Sequence, residues 1–143
     1  MASNHRLAVA THILLMLASA PKEYRNDHGL LSSETVAASV NTNPVVIRRV
    51  VADLARAGLV RSHAGKGGGL ELGRPASRIT LLDVHLALAE PDVFAYKANL
   101  PSQRCPVGSK VMGVLSPVFD DVQARVHQTL KKTTLADLVT QMA

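Results

Sequence analysis

Aromatic side chains are scarce in this sequence: two Tyr, two Phe and no Trp, 3% of 143 residues. A core built from it must be aliphatic, made of Leu, Val, Ile and Ala. The shortage also argues against a binder of single-stranded nucleic acid, which stacks successive bases on aromatic rings. Cysteine is nearly absent too. The single Cys105 leaves no intrachain disulfide, and no zinc or iron–sulfur site made only of cysteines within one chain. A long hydrophobic run is also missing. The longest apolar stretch, Leu7 to Ala20, is interrupted by Thr11, His12 and Ser19, and a spanning helix needs about 20 apolar residues. Only Arg6 precedes it, and Ser19-Ala20-Pro21 is a poor cleavage site, so it lacks a signal-peptide layout. The expectation is a cytoplasmic protein with no membrane partner.

What is present is a sufficient core and a localised charge. Apolar residues make up 47%, enough to exclude wholesale disorder. The length has room for one domain, or a small domain plus a helical arm. Lys and Arg number 16 against 11 Asp and Glu, a net charge of +5. Between Pro44 and Arg78 lie Arg48, Arg49, Arg56, Arg61, Lys66, Arg74 and Arg78, against Asp53 and Glu71. Seven less two is the whole net charge; the remainder balances at nine against nine. A basic stretch on a near-neutral body is an electrostatic footprint for a polyanion.

The order of elements gives that charge a context. Residues 4–20 form a helix with Leu7, Ala10, Leu14 and Leu17 on its apolar face, ended by Pro21. A polar connector over 21–31 leads to a short helix capped by Ser32 or Ser33 and ending near Val40. After the turn Asn41-Thr42-Asn43, Asn43 caps a helix opened by Pro44 and stopped by Gly58. Its inner stripe is Ile47, Val50, Val51 and Leu54; its opposite face is Val45, Arg48, Arg49, Ala52 and Arg56. Leu59 to His63 and Gly69 to Leu72 are strands around the glycine-rich tip 64–68. Thr80 caps a helix running through Ala89. Residues 91–106 are an irregular, mobile loop. A long amphipathic helix from about Val107 to Leu130 follows, with Val111, Leu115, Val118, Val122 and Val126 in its stripe. Pro117 should kink or break it. A last helix begins at Thr134.

Two short helices joined by a tight turn, then a glycine-tipped hairpin, make a winged helix-turn-helix. The fold class is mainly α with a small β-hairpin wing and a long C-terminal helix. Its physics suits double-stranded DNA. Ala52 keeps the basic face of the second helix narrow enough for a major groove, and Arg48 and Arg49 reach base edges or phosphates. Glycines let the wing's backbone approach a sugar–phosphate wall, with Lys66 at the tip. Candidate DNA contacts are Ser33, Asn43, Val45, Val46, Arg48, Arg49 and Arg56 in the helices, and His63, Lys66 and Gly67 in the wing.

An enzyme is not expected. The glycine run fails as a phosphate loop, because Leu70 stands where glycine is needed and Gly67 follows Lys66 where Ser or Thr is required. HExxH and GxSxG are absent, and no Cys/His set lies close in sequence. Asp120 and Asp121 are adjacent and diverge on a helix by roughly 100 degrees.

From Leu54 to Glu90, the run AGLV, the glycine-rich wing and a leucine-rich helix opening with Ile-Thr-Leu-x-Asp-Val resemble the Rrf-two family of bacterial transcription regulators. TLADLV, Thr134 to Val139, is similar to that family's ending. The resemblance implies a homodimeric repressor. The long C-terminal helix would cross to the partner, and the two recognition helices would meet a palindromic operator. It divides the chain into a DNA-binding domain (1–90), a sensory loop (91–106) and a dimerisation segment (107–143). Departures sit at Val45 and Val46, where relatives place small polar and aromatic residues, and at Ala64, where an iron–sulfur regulator has a wing Arg. The operator sequence is therefore not carried over, although a valine suits a thymine methyl.

The signal is open at this point. Cluster-binding relatives use three cysteines, so this resemblance implies no standard iron–sulfur cluster and no cofactor here; Val114 stands about where the third would fall. A cluster ligated by Cys105 with His5, His12 or His28 is an alternative. Cys105 lies beside Arg104, near Lys110, and before the expected helix start at 107–109. Cations and a positive helix end favour the reactive thiolate. Its reversible products would be a sulfenic acid, a mixed disulfide or a Cys105–Cys105 bridge between subunits. An inert cysteine, a small-ligand sensor, and a winged-helix module that binds protein are the other readings.

Overall fold

A computed structural model describes residues 5–89, 92–94 and 99–143. The first helix, α1, spans Arg6–Ser19. Residue 4 of the expected span lies outside the described residues. Pro21 forces the preceding Ala20 into extended backbone, which ends the helix. The orphaned carbonyls of its last turn find a donor in Arg25, whose guanidinium reaches Ala20 O (3.1 Å) and Leu17 O (3.0 Å).

Helix α2, Ser33–Val40, is capped by Ser32, whose hydroxyl accepts from Thr35 N at 3.1 Å. Asn41, in the left-handed region at φ 55°, turns the chain. Helix α3, Pro44–Arg56, starts at Asn43, whose side chain accepts from Val45 N at 2.9 Å. It closes with a Schellman motif: Leu59 N donates to Leu54 O, and Gly58 N to Ala55 O. Gly58 sits at φ 76°, which a glycine adopts without strain.

Strands β1, Val60–His63, and β2, Gly69–Leu72, pair antiparallel with Arg61 opposite Glu71 and Ser62 opposite Leu70. An isolated bridge from Leu31 to Leu70 fastens this hairpin to the body. Helix α4, Leu81–Ala87, and helix α6, Leu135–Met142, both open with a capping box, Thr80 with Asp83 and Thr134 with Asp137. The two caps face each other across a Thr80–Thr134 bridge, with Leu81 N on Thr133 O and Leu135 N on Ile79 O, both 2.9 Å. The end of the chain therefore returns to the body formed by α1–α4 instead of following α5 outward.

The core is aliphatic, as the missing aromatics require. Ala10, Ile13, Leu14 and Leu17 of α1 meet Val36 of α2, Ile47, Val50 and Leu54 of α3, Leu70 of the hairpin, Val84 of α4 and Leu135 of α6. Helix α5, Val111–Leu130, has no buried residue and meets the rest of the body at α4. Twenty residues at 1.5 Å each make it about 30 Å long.

Three expectations are corrected. Helix α4 stops two residues before Ala89, because Leu88 turns to extended backbone and buries its side chain. Helix α5 begins at Val111, since 107–110 form turns. Pro117 does not break the helix, which runs through it from Val111 to Leu130. The mobility expected over 91–106 falls in part on 91 and 95–98, outside the described residues. Among the described residues no helix is long and apolar enough to cross a membrane.

Candidate nucleic-acid interface

The helix–turn–helix geometry follows from burial. Ile47, Val50 and Leu54 fix α3 to the core, which turns Val45, Arg48, Arg49, Ala52 and Arg56 outward. Val45 is 43% exposed, an apolar residue displayed at the first turn. Val46, grouped with it by sequence, is instead partly buried and packs against the core. Asn43 is exposed, and its carboxamide oxygen is engaged as the α3 cap. Ser33 is the exposed first residue of α2.

Two hollows connect these elements. One lies between α2 and α3, with Ser33, Glu34, Ala37 and Arg48 in its walls. The other lies between the start of α2 and the wing, with Ser33, Ser62, His63 and Gly65 around it. Ser33 is common to both, so α3, the N-terminal end of α2 and the wing form one continuous face. Glu34 lines both hollows and places a negative charge there.

The cations on this face are not equivalent. Arg56 pairs with the buried carboxylate of Asp53, which Arg6 of α1 also holds at 2.6 Å. Its charge is thus engaged within the protein. In the wing, His63 Nε2 lies 3.0 Å and Arg61 3.4 Å from the Glu71 carboxylate. Among the described residues, the salt bridges include none to Arg48, Arg49 or Lys66. Lys66 and Gly67 are exposed at the wing tip.

Cys105 is exposed, in a turn closed by Ser109 N on Cys105 O at 2.9 Å. Backbone N–H groups of Gly108 and Val107 bond to the sulfur and hold its pKa below the ordinary thiol value. The direction agrees with the expectation, but the cause differs: turn amides act, and the cations and helix end expected to act are not among the causes. Helix α5 starts six residues further on.

Several contacts were invisible to the sequence reading. Arg6 with Asp53 joins α1 to α3. Asn26 bonds the wing tip to the connector. On α5, Gln123 accepts from Val93 N at 2.9 Å and bonds His127 at 3.0 Å, while His127 meets the buried His85 of α4 edge-on at 5.8 Å. Phe94 lies 5.5 Å from Phe119 of α5. Segment 92–94 is thereby laid along α5. A helical period or a cap motif reveals partners three or four residues apart, as for Gln123 with His127; the other pairs lie outside that range.

Residues 3–141 match the family of iron-dependent transcriptional regulators, Rrf2. An inferred HTH-type transcriptional regulator of Bacillus subtilis, YwnA, is 37% identical over 140 residues, 97% of this chain and 98% of that protein. The crystal structure of an inferred DNA-binding protein, 36% identical, superposes with a TM-score of 0.69 over 93% of this chain and 97% of the other. CymR, the global cysteine regulator of B. subtilis, shares the fold at 23% identity and a TM-score of 0.65, covering 99% and 98%. Iron chemistry in the family raises the question of ligands here. A cluster needs several thiolate or imidazole donors. This chain has one cysteine, His12 bonds Ser39, and His28 lies against the wing glycine Gly67. Among the described residues no three His, Cys, Asp or Glu side chains converge. This donor set does not fit a cluster held within one chain. The relatives are regulators of transcription rather than enzymes, and with a winged helix-turn-helix of this kind the chain belongs to the Rrf2 family of transcription regulators.

Proposed function

We propose that the protein is a cytoplasmic homodimeric repressor that binds a palindromic operator and releases it when Cys105 is modified. The observation that carries the DNA part is the pairing of Arg48 and Arg49 on the outward face of α3 with Lys66 on the adjoining wing tip. In this reading α3 enters the major groove. Arg48 and Arg49 contact base edges or phosphates, Val45 touches an apolar base edge, and Ser33, Asn43, His63, Lys66 and Gly67 line the flanking backbone. Arg56 and Val46 act indirectly, by fixing the pose of α3.

The dimer reading rests on α5. Its stripe is unburied, with Val118 57% exposed. An apolar groove of about 690 Å³ beside α1 and α6, with Leu7, Leu15, Met16 and Leu138 in its walls, offers a second surface to a partner. Residues 5–89 then serve as the DNA-binding head, 107–130 as the dimer arm and 91–106 as the sensory loop. Because the turn that holds Cys105 runs into the start of α5, with Lys110 N and Val111 N on Val107 O, a change at Cys105 has a route to the angle between the heads.

The redox step needs no cluster. With hypochlorous acid as oxidant, the thiolate sulfur gives two electrons to chlorine, forming a sulfenic acid and chloride. A second thiol then condenses with it, giving a disulfide and water. The test is fluorescence anisotropy on duplex DNA from upstream of the protein's own gene, against a scrambled duplex. Specific binding should weaken at least about tenfold after mild hypochlorite and recover with dithiothreitol, while Cys105→Ser should be indifferent. Equal loss in Cys105→Ser would remove Cys105 as the sensor.

A further inference from the structure

The wing tip is fastened to the body by a side chain outside the DNA-binding face. Asn26 lies in the connector between α1 and α2. Its Oδ1 accepts from the backbone N–H of His28 (2.9 Å) and Leu30 (3.0 Å). Its Nδ2 donates to the carbonyl oxygens of Gly67 (3.1 Å) and Gly68 (3.0 Å). Its own backbone is engaged as well, donating to Leu30 O and accepting from Gly29 N, both 2.9 Å. One side of the amide thus orders the connector turn, and the other grips two consecutive carbonyls of the tip.

Few side chains can do both. An aspartate would turn a carboxylate oxygen toward two carbonyls, and a serine lacks the reach and the second donor. Within the tip, Gly68 N donates to Gly65 O at 3.0 Å, a bond that shapes the turn but does not tie it to the body. Gly65 and Gly67 are at φ 85° and 77°, and the glycine run has no side chain with which to pack. The other connector-to-hairpin fastening, the Leu31–Leu70 bridge (3.1 and 2.7 Å), lies on β2 beyond the tip. A Cβ on Gly67 would stand 2.9 Å from the His28 ring, so the connector also closes over the tip sterically.

We infer that Asn26 is a positioning residue for DNA binding: by locking the carbonyls of Gly67 and Gly68 to the connector, it sets the angle at which the wing presents Lys66 to the phosphate backbone. The inference rests on the DNA-binding reading above. A wing held in its bound pose loses less freedom on association than a mobile one.

The test uses a duplex enriched from random sequence by the wild-type protein, with affinity measured against salt concentration. Lys66→Ala should lower the slope of log affinity on log salt by about one per wing. Asn26→Ala should lower slope and affinity by the same amount, about three- to tenfold in affinity, and Lys66→Ala should add nothing in that background. Arg48→Ala should remain additive with Asn26→Ala. A readout without DNA is trypsin cleavage after Lys66, which should accelerate in Asn26→Ala. If that variant does not fold, Asn26→Asp, which keeps the Oδ1 bonds, carries the trypsin measurement. Wild-type affinity and slope in Asn26→Ala, additivity with Lys66→Ala, or no effect of Lys66→Ala overturns the inference. Failure of the wild-type protein to enrich any duplex removes the DNA-binding reading itself, and the role of Asn26 with it.

Discussion

Asp53 is buried to 5% exposure, with Arg6 and Arg56 closing on its two carboxylate oxygens. A charge tally along the sequence counts it as one unit against the basic stretch. In three dimensions it instead pairs with the exposed Arg56 on the outer face of α3 and, through Arg6, ties α3 to α1. Removing Asp53 breaks both pairs at once: Arg56, 71% exposed, returns to water, while Arg6, 33% exposed, loses its partner in a partly desolvated place. Asp53→Ala should therefore destabilise the fold by about 1–3 kcal/mol in urea unfolding, and Arg56→Ala by less, because Arg6 still holds the carboxylate. A change under about 0.5 kcal/mol for Asp53→Ala would contradict this account.

Cys105 carries a prediction of opposite character, in reactivity. Backbone N–H groups stabilise its thiolate, so the folded thiol has the lower pKa. The thiolate fraction then rises at lower pH in the folded protein than in the unfolded chain. Alkylation by iodoacetamide should accordingly reach half its maximal rate at a lower pH in buffer than in urea. An equal or higher midpoint in the folded protein would show that the turn amides do not act on the sulfur.

At the scale of elements, starts were more legible than ends. Asn43-Pro44, Thr80 with Asp83, and Thr134 with Asp137 each encode a cap within four residues, and each caps a helix. The end of α4 depends on burial of Leu88, and the start of α5 on a turn in which Lys110 N and Val111 N bond Val107 O. That turn continues the apolar spacing of the helix, so periodicity alone cannot separate them. Pro117 leaves the helix unbroken for a local reason. Its ring opposes the carbonyl of Gly113, which lies on an exposed stretch where water can serve it. The solvent-facing stripe of α5 also yields a test. Val118→Glu should weaken dimerisation by at least about a hundredfold, near 3 kcal/mol, in analytical ultracentrifugation with helical content unchanged. A dimer of unaltered affinity would move the interface elsewhere.

At the scale of the molecule, the order of elements and their inner faces were readable because each depends on neighbours a few residues away. The links that give the interface its shape were not. Arg6 to Asp53, Asn26 to Gly67 and Gly68, and Thr80 to Thr134 each join distant positions through single polar contacts that no period announces. Arg56 is exposed but paired with Asp53 and Val46 is partly buried against the core, whereas Arg48, Arg49 and Lys66 are exposed with no salt bridge among the described residues. The central claim is that these three cations, led by the arginine pair on α3, read and hold duplex DNA. It is tested most directly by the affinity and salt dependence of Arg48→Ala/Arg49→Ala on a duplex enriched by the wild-type protein. Specific affinity should fall at least about a hundredfold and the salt slope by about two per head, with the dimer and its melting temperature intact. Specific binding of unchanged strength and slope would contradict the assignment of α3 as the recognition helix.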